Sequence, residues 1–170
     1  MGPRFAFFDR QKDIEYLSLA HEAAVESLRE GNHPFGAVLV DRSGNLLLRG
    51  GNVEVTERDC TGHAETALMR AASGRFSRAE LWDCSLYTTV EPCAMCSGAM
   101  YWGNLGRVVY GVEEKKLLAI TGSDPANPTF DLPCREVFAR GQKNIEVVGP
   151  IADAELEERI LSLHRGYWNR

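Results

Sequence analysis

Two short segments carry the residue types from which a hydrolytic metal site is built. One is His63-Ala64-Glu65; the other is Glu91-Pro92-Cys93-Ala94-Met95-Cys96. Cys93 and Cys96 stand three apart, so a helix beginning there puts both thiols on one face. A helix N-terminus favours the thiolate, the form that binds metal. One histidine and two cysteines leave the fourth corner of a tetrahedral zinc open to water, as catalytic zinc sites require. Zinc lowers the pKa of such a water toward ~7. Glu65, two residues beyond His63, suits a general acid/base beside the metal rather than a ligand. One Zn2+ per chain is therefore expected, on His63, Cys93 and Cys96, with Glu65 as the catalytic residue.

Two plainer readings compete. Cys60, three residues before His63, could close the site as a fourth ligand and make it purely structural. That leaves Glu65 and Pro92 without a role. A thioredoxin-like reading of C-x-x-C ignores His63-Ala64-Glu65 altogether. Cys84 and Cys134 read as buried thiols that behave as small hydrophobes, and His21, His33 and His164 as packing or surface residues.

The elements that must position these groups follow from periodicity. Residues 13–30 read as an amphipathic helix stopped by Gly31. Residues 37–40 and 46–50 read as a hairpin around the turn 42–45. A polar, irregular stretch covers 52–62, and a helix opens at His63 and ends near Gly74. Residues 86–90 are a buried strand, 92–101 a helix with Pro92 at its first position, and 108–112 another strand. Residues 122–133 read as loop, 135–140 as a short helix, 146–148 as a last strand and 152–167 as a final helix. Strands alternating with helices predict an α/β sandwich with helices on both faces of a sheet, in one domain over residues 1–170.

Composition narrows the partners. The 170 residues are 44% hydrophobic and 25% charged, ordinary for a globular chain. No apolar run approaches the ~20 residues that span a bilayer. The Met1-Gly2 start would suit myristoylation, but Ala6 stands where Ser or Thr is wanted. Net charge is −5, from 19 Lys+Arg and 24 Asp+Glu, which argues against broad binding to a phosphate backbone. Five cysteines with no export signal point to metal or catalysis in the cytoplasm rather than to disulfides.

H-x-E followed by P-C-x-x-C is the signature of zinc deaminases. The chain resembles the cytidine and deoxycytidylate deaminase superfamily, and within it the bacterial guanine deaminases. The likeness runs through Pro34-Phe35-Gly36-Ala37, Asn52, Thr61 to Glu65, Leu86 to Cys96 and Gly98 to Trp102. The substrate-level likeness rests on Tyr101-Trp102, the loop around Phe130-Asp131 and the tail His164 to Trp168. The resemblance implies a five-stranded mixed sheet in a three-layer α/β/α sandwich, commonly a homodimer. It implies zinc on His63, Cys93 and Cys96, and proton transfer by Glu65. It also implies a base held by Asn52 and Phe35, with Ala64, Trp102, Asp131 and Trp168 around it. The implied reaction is deamination of a small nucleobase, guanine first, without nucleic acid or membrane. A tRNA adenosine deaminase, a deaminase of cytosine, cytidine or an aminotriazine, and a zinc-stabilised interaction module are the alternatives. Cys60-Thr61-Gly62 departs from the family, which has Pro or another small residue there. Gly62 should make that loop permissive.

Overall fold

Successive side chains of a strand point to opposite faces, and in β1 (Gly36–Asp41) both faces are buried. Ala37 and Leu39 enter one core, Val38 and Val40 another. Such a strand needs helices on both sides. The computed structural model describes residues 4–168 and supplies them. The Met1-Gly2 start lies outside the described residues.

The chain opens with α1 (Arg10–Arg29), whose N-cap Asp9 accepts a hydrogen bond from the Lys12 amide. β1 pairs antiparallel with β2 (Leu46–Gly51). The one-turn α2 (Glu54–Glu57), α3 (Ala64–Ser73) and the short α4 (Arg78–Trp82) lead to β3 (Cys84–Val90). Then come α5 (Ala94–Gly103), β4 (Arg107–Val112), α6 (Glu114–Thr121), α7 (Cys134–Ala139), β5 (Glu146–Val148) and α8 (Ala154–His164). β3 pairs antiparallel with β1, while β4 and β5 continue in parallel, giving the order β2-β1-β3-β4-β5. The first core takes Leu68 of α3, Met100 of α5 and Phe138 of α7; the second takes Leu17 of α1, Leu117 of α6 and Ile160 of α8. This is the three-layer α/β/α sandwich with a five-stranded mixed sheet.

Gly36 lets β1 cross α1 closely: a Cβ there would meet the Ala20 carbonyl oxygen at 2.1 Å. Three elements escaped the periodicity because each is short: α2, α4 and α6. Of the three, only α4 carries a cap signal, the Ser77–Glu80 capping box. Cys93, not Pro92, caps α5, so the proline precedes the helix rather than opening it. Gly62 is not a hinge. Its Cβ would meet the Asp59 carbonyl oxygen at 2.9 Å and the Glu54 amide at 3.0 Å, so the missing side chain lets the loop close tightly on α2.

In open α/β sheets, ligands bind beyond the carboxyl ends of parallel strands. Here those ends are Val90 of β3 and Val112 of β4, paired side by side. Glu91 fastens the corner. It accepts hydrogen bonds from the Glu114 amide (3.2 Å) and the Cys134 amide (3.0 Å), so one carboxylate ties the starts of α6 and α7 to the segment that enters α5.

Candidate active site

α3 and α5 point their N-termini at one spot. His63 is the N-cap residue of α3 and Cys93 that of α5, with Cys96 in the next turn. His63 Nδ1 lies 3.5 Å from Cys93 Sγ and 3.6 Å from Cys96 Sγ. With zinc–sulfur at about 2.3 Å and zinc–nitrogen at about 2.0–2.1 Å, the nitrogen–sulfur edge of a tetrahedron is about 3.6 Å. The three atoms therefore fit zinc. Among the described residues they are the only cluster of His, Cys, Asp and Glu that could hold a metal. Cys60 is exposed and outside it, so the closed four-ligand reading loses its fourth ligand.

Neighbours hold the ligands. The Thr66 hydroxyl donates to Cys96 Sγ (3.2 Å), and Glu54 Oε2 lies 3.7 Å from His63 Nε2. A carboxylate behind a ligating histidine fixes its tautomer and ring orientation. Burial alone would lower His63, yet the Cys93 sulfur, Glu65 and Glu54 around it raise it to about 9. Between the two thiols, a hydrogen bond from Cys96 brings Cys93 down to about 4, while that bond and burial push Cys96 up. The three donors share their protons closely, as groups that exchange them for one metal ion do.

Glu65 is buried in the first turn of α3. Its Oε1 accepts from the Thr88 hydroxyl of β3 (2.9 Å), and its Oε2 lies 3.5 Å from Cys96 Sγ. Burial, then the Cys93 sulfur, raise its pKa. A carboxyl beside the metal whose pKa is raised by its surroundings has the character of a general acid/base.

The cluster forms the floor of a cavity of about 440 Å³. Phe35, Met95 and Phe130 supply apolar walls, and Glu54, Glu91 and Glu114 join Glu65 in it. Among the described residues no lysine or arginine lines it. Glu114 is pushed up to about 8 by burial, then by Cys93, Glu65 and Glu91. A wider hollow of about 560 Å³, around Arg135, Phe138, Lys143 and Val147, lies apart and holds no thiol or carboxylate.

The expected substrate residues separate. Phe35 lines the cavity. Asn52 is 1% exposed behind the wall, its amide donating to Glu54 Oε2 (2.5 Å), so Glu54 rather than Asn52 faces the cavity. Ala64 packs in the core beside Leu68. Trp168 is buried in its own chain behind Phe35, with ring centroids 6.2 Å apart, and is not a lid over the cavity. Two others stand apart from the cavity within this chain. Trp102 is 74% exposed on the outer face of α5 and does not line the cavity. Asp131 is exposed, and its neighbour Phe130 lines the cavity instead. Glu54, Glu114, Asn127 and Thr129 line the cavity and were not foreseen. Glu114 had a usable signal: it follows at once on a buried strand, where sheet sites lie.

Two helix starts converging on a histidine and two thiols, with a buried carboxyl beside them, define a metal-dependent hydrolase. The comparisons narrow that class. Residues 10–112 match the model of the cytidine and deoxycytidylate deaminase zinc-binding region. A probable cytosine deaminase of Schizosaccharomyces pombe is 35% identical over 159 residues, 94% of each chain. The guanine deaminase of Bacillus subtilis is 40% identical over 117 residues, 68% of this chain and 69% of the relative. A chain solved in studies of A-to-I editing by tRNA:A34 deaminases superposes with TM-score 0.65 at 26% identity, covering 88% of this chain and 98% of the other. The protein belongs to the cytidine and deoxycytidylate deaminase family, and its cofactor is zinc.

Proposed function

We infer that this deaminase acts on a free nucleobase, with guanine, converted to xanthine and ammonia, as its first substrate. The acidic cavity carries this reading. Four glutamates line it and no Lys or Arg does, among the described residues. A phosphate would find no cationic partner there, which speaks against a nucleotide or a tRNA anticodon loop. A volume of about 440 Å³ lies in the range that takes small ligands.

His63, Cys93 and Cys96 would hold the zinc, which when bound acidifies a water to near neutral pH. Glu65 takes one proton of the attacking water and passes it to a ring nitrogen, then carries the proton of the newly added hydroxyl to the leaving amine, which departs as ammonia while the carbonyl forms. Thr88 anchors Glu65 Oε1, so the carboxyl keeps its place through both transfers. Phe35 packs on the ring. In guanine the carbon bearing the amine lies between two ring nitrogens, one of which carries hydrogen. A second carboxyl on that side is useful, and Glu114 in the cavity wall takes the role that Asp131, turned to solvent, does not.

The reading extends to a homodimer, in which a second copy would cover the exposed Trp102, and to the cytoplasm, which suits five free thiols. No helix of the described residues is long and apolar enough to cross a membrane. Cytosine is the second reading, favoured by the end-to-end likeness to the S. pombe relative. Ammonia release from guanine, cytosine, cytidine, adenosine, an aminotriazine and tRNA decides between them. Guanine should be fastest. Turnover of cytosine with none of guanine moves the assignment to the second reading, and turnover of tRNA alone ends both.

A further inference from the structure

The cavity has a roof, the segment from Pro125 to Phe130 that crosses between α6 and α7. It is fastened at both ends. The Ala126 amide donates to Asp124 Oδ1 (2.8 Å), and the Cys134 amide donates to Glu91 Oε1 (3.0 Å). Two of its side chains are polar and neutral, Asn127 and Thr129, and both line the cavity. Asn127 Nδ2 and Thr129 Oγ1 are buried and have no hydrogen-bond partner among the described residues. Buried polar groups are normally paired, so each such exception calls for an explanation.

The other polar groups of the cavity are engaged or acidic. Glu54 holds the Asn52 amide, Glu65 the Thr88 hydroxyl, and Glu91 two backbone amides. An ionised carboxylate offers no hydrogen to a ring carbonyl, and Glu114 is taken up by the ring nitrogens beside the reacting carbon. Asn127 Nδ2 and Thr129 Oγ1 offer that hydrogen.

We propose that Asn127 and Thr129 are specificity-determining residues that read a carbonyl edge of the substrate ring. The inference rests on the free-nucleobase reading and names the chemistry that reading lacks. The substrate carries an oxo group on the ring as well as the amine that is lost. Asn127 donates its amide hydrogen to that oxygen. Thr129 donates to its second lone pair or accepts from the adjacent ring N–H. Bases with an amine but no carbonyl, such as adenine, leave both roof groups unpaired. A site built to hydrogen-bond a substrate group discriminates strongly against the analogue that lacks it.

The test uses the zinc-loaded full chain and two matched pairs: guanine with 2-aminopurine, and cytosine with 4-aminopyrimidine. Each pair differs in the ring carbonyl and the ring N–H that goes with it, the edge that the two roof residues would read. The wild type should prefer the oxo member by at least about tenfold in kcat/KM, one good hydrogen bond's worth. The Asn127→Ala, Thr129→Ala double variant should lose about tenfold or more on that member and stay within about twofold on the other. Asn127→Asp, which keeps the shape but removes the amide donor, should show the same selective loss. Equal losses on both members, or no loss on either, overturn the proposal. So does a wild type that turns over neither pair. A failure of the guanine reading alone is distinguishable, because the cytosine pair then shows the same selectivity.

Discussion

Neighbouring residues of β3 serve two buried polar clusters on opposite faces of the sheet. Tyr87 turns toward α1 and meets Asp13 and Arg107; Thr88 turns toward α3 and meets Glu65. The first cluster is closed. Arg107 makes a two-pronged pair with Asp13, at 2.8 and 3.0 Å, donates to the Tyr87 hydroxyl (2.9 Å) and reaches Glu146 (2.9 Å). Phe8 covers the guanidinium, 4.9 Å from its ring centre. The second cluster is open. Its histidine, thiols and carboxyl crowd together and face a cavity. Equal burial thus serves two ends. A network whose every charge is paired fixes the position of α1 on the sheet. A network of metal-binding donors left open on one side waits for a cation and a substrate.

The largest break in that comparison is chemical. Glu65→Gln keeps the shape and the Thr88 contact but cannot carry the proton. Turnover should fall by ~10²–10⁴-fold or more, the usual share of general acid/base catalysis, while zinc stays at one per chain by metal analysis. Cys96→Ala should lose both zinc and turnover. A Glu65→Gln protein with near-normal turnover would remove Glu65 from the mechanism.

The closed cluster should answer in the opposite way. Asp13→Asn leaves Arg107 buried, with only half-exposed Glu146 as a charged partner. Breaking a buried pair by removing one partner costs about 3–5 kcal/mol. Urea denaturation should show a loss of about 3 kcal/mol, with kcat per folded, zinc-loaded molecule unchanged. A normal midpoint with a depressed kcat would mean that the two faces are coupled and the contrast is false.

The sequence exposes these regions unevenly. The zinc ligands and Glu65 were legible because they sit within two contiguous segments at helix starts, where spacing alone sets geometry. The sheet layers were legible because β1, β3 and β4 are short stretches rich in Val, Leu and Tyr between turn signals. Trp102 misled because proximity in sequence is not proximity in space. At about 100° per residue it lies about 200° round the helix from buried Met100, hence on the outer face. Asp131 stands outside the cavity lining, while its neighbour Phe130, itself largely exposed, borders the cavity. Glu54, Glu114, Asn127 and Thr129 come from a one-turn helix, a helix start and a proline-flanked crossing. No periodic pattern announces such elements, and only the folded chain brings them to one cavity.

The smallest effect concerns His164, which tests whether an incompletely paired group can sit away from the cavity wall without chemical purpose. It is fully buried on α8, packed on Phe35 with ring centroids 4.9 Å apart. Nδ1 accepts from Trp168 Nε1 (3.2 Å), and Nε2 has no hydrogen-bond partner among the described residues. Burial lowers its pKa from 6.5 to about 4, so the ring is neutral when folded. The unfolded chain takes up the proton first as pH falls. The stabilisation is therefore complete above about 6.5 and is lost on acidification toward 4. Between pH 7 and pH 5 this amounts to about 2 kcal/mol, at 1.36 kcal/mol per pKa unit. His164→Leu, of similar bulk, should lose about 2 kcal/mol less than the wild type over that interval in paired urea titrations. His33, also lowered by burial, stays in both proteins and cancels in the difference. Parallel pH curves would show that His164 is already charged or solvated in the fold, and that the wall behind Phe35 is wetter than its packing indicates.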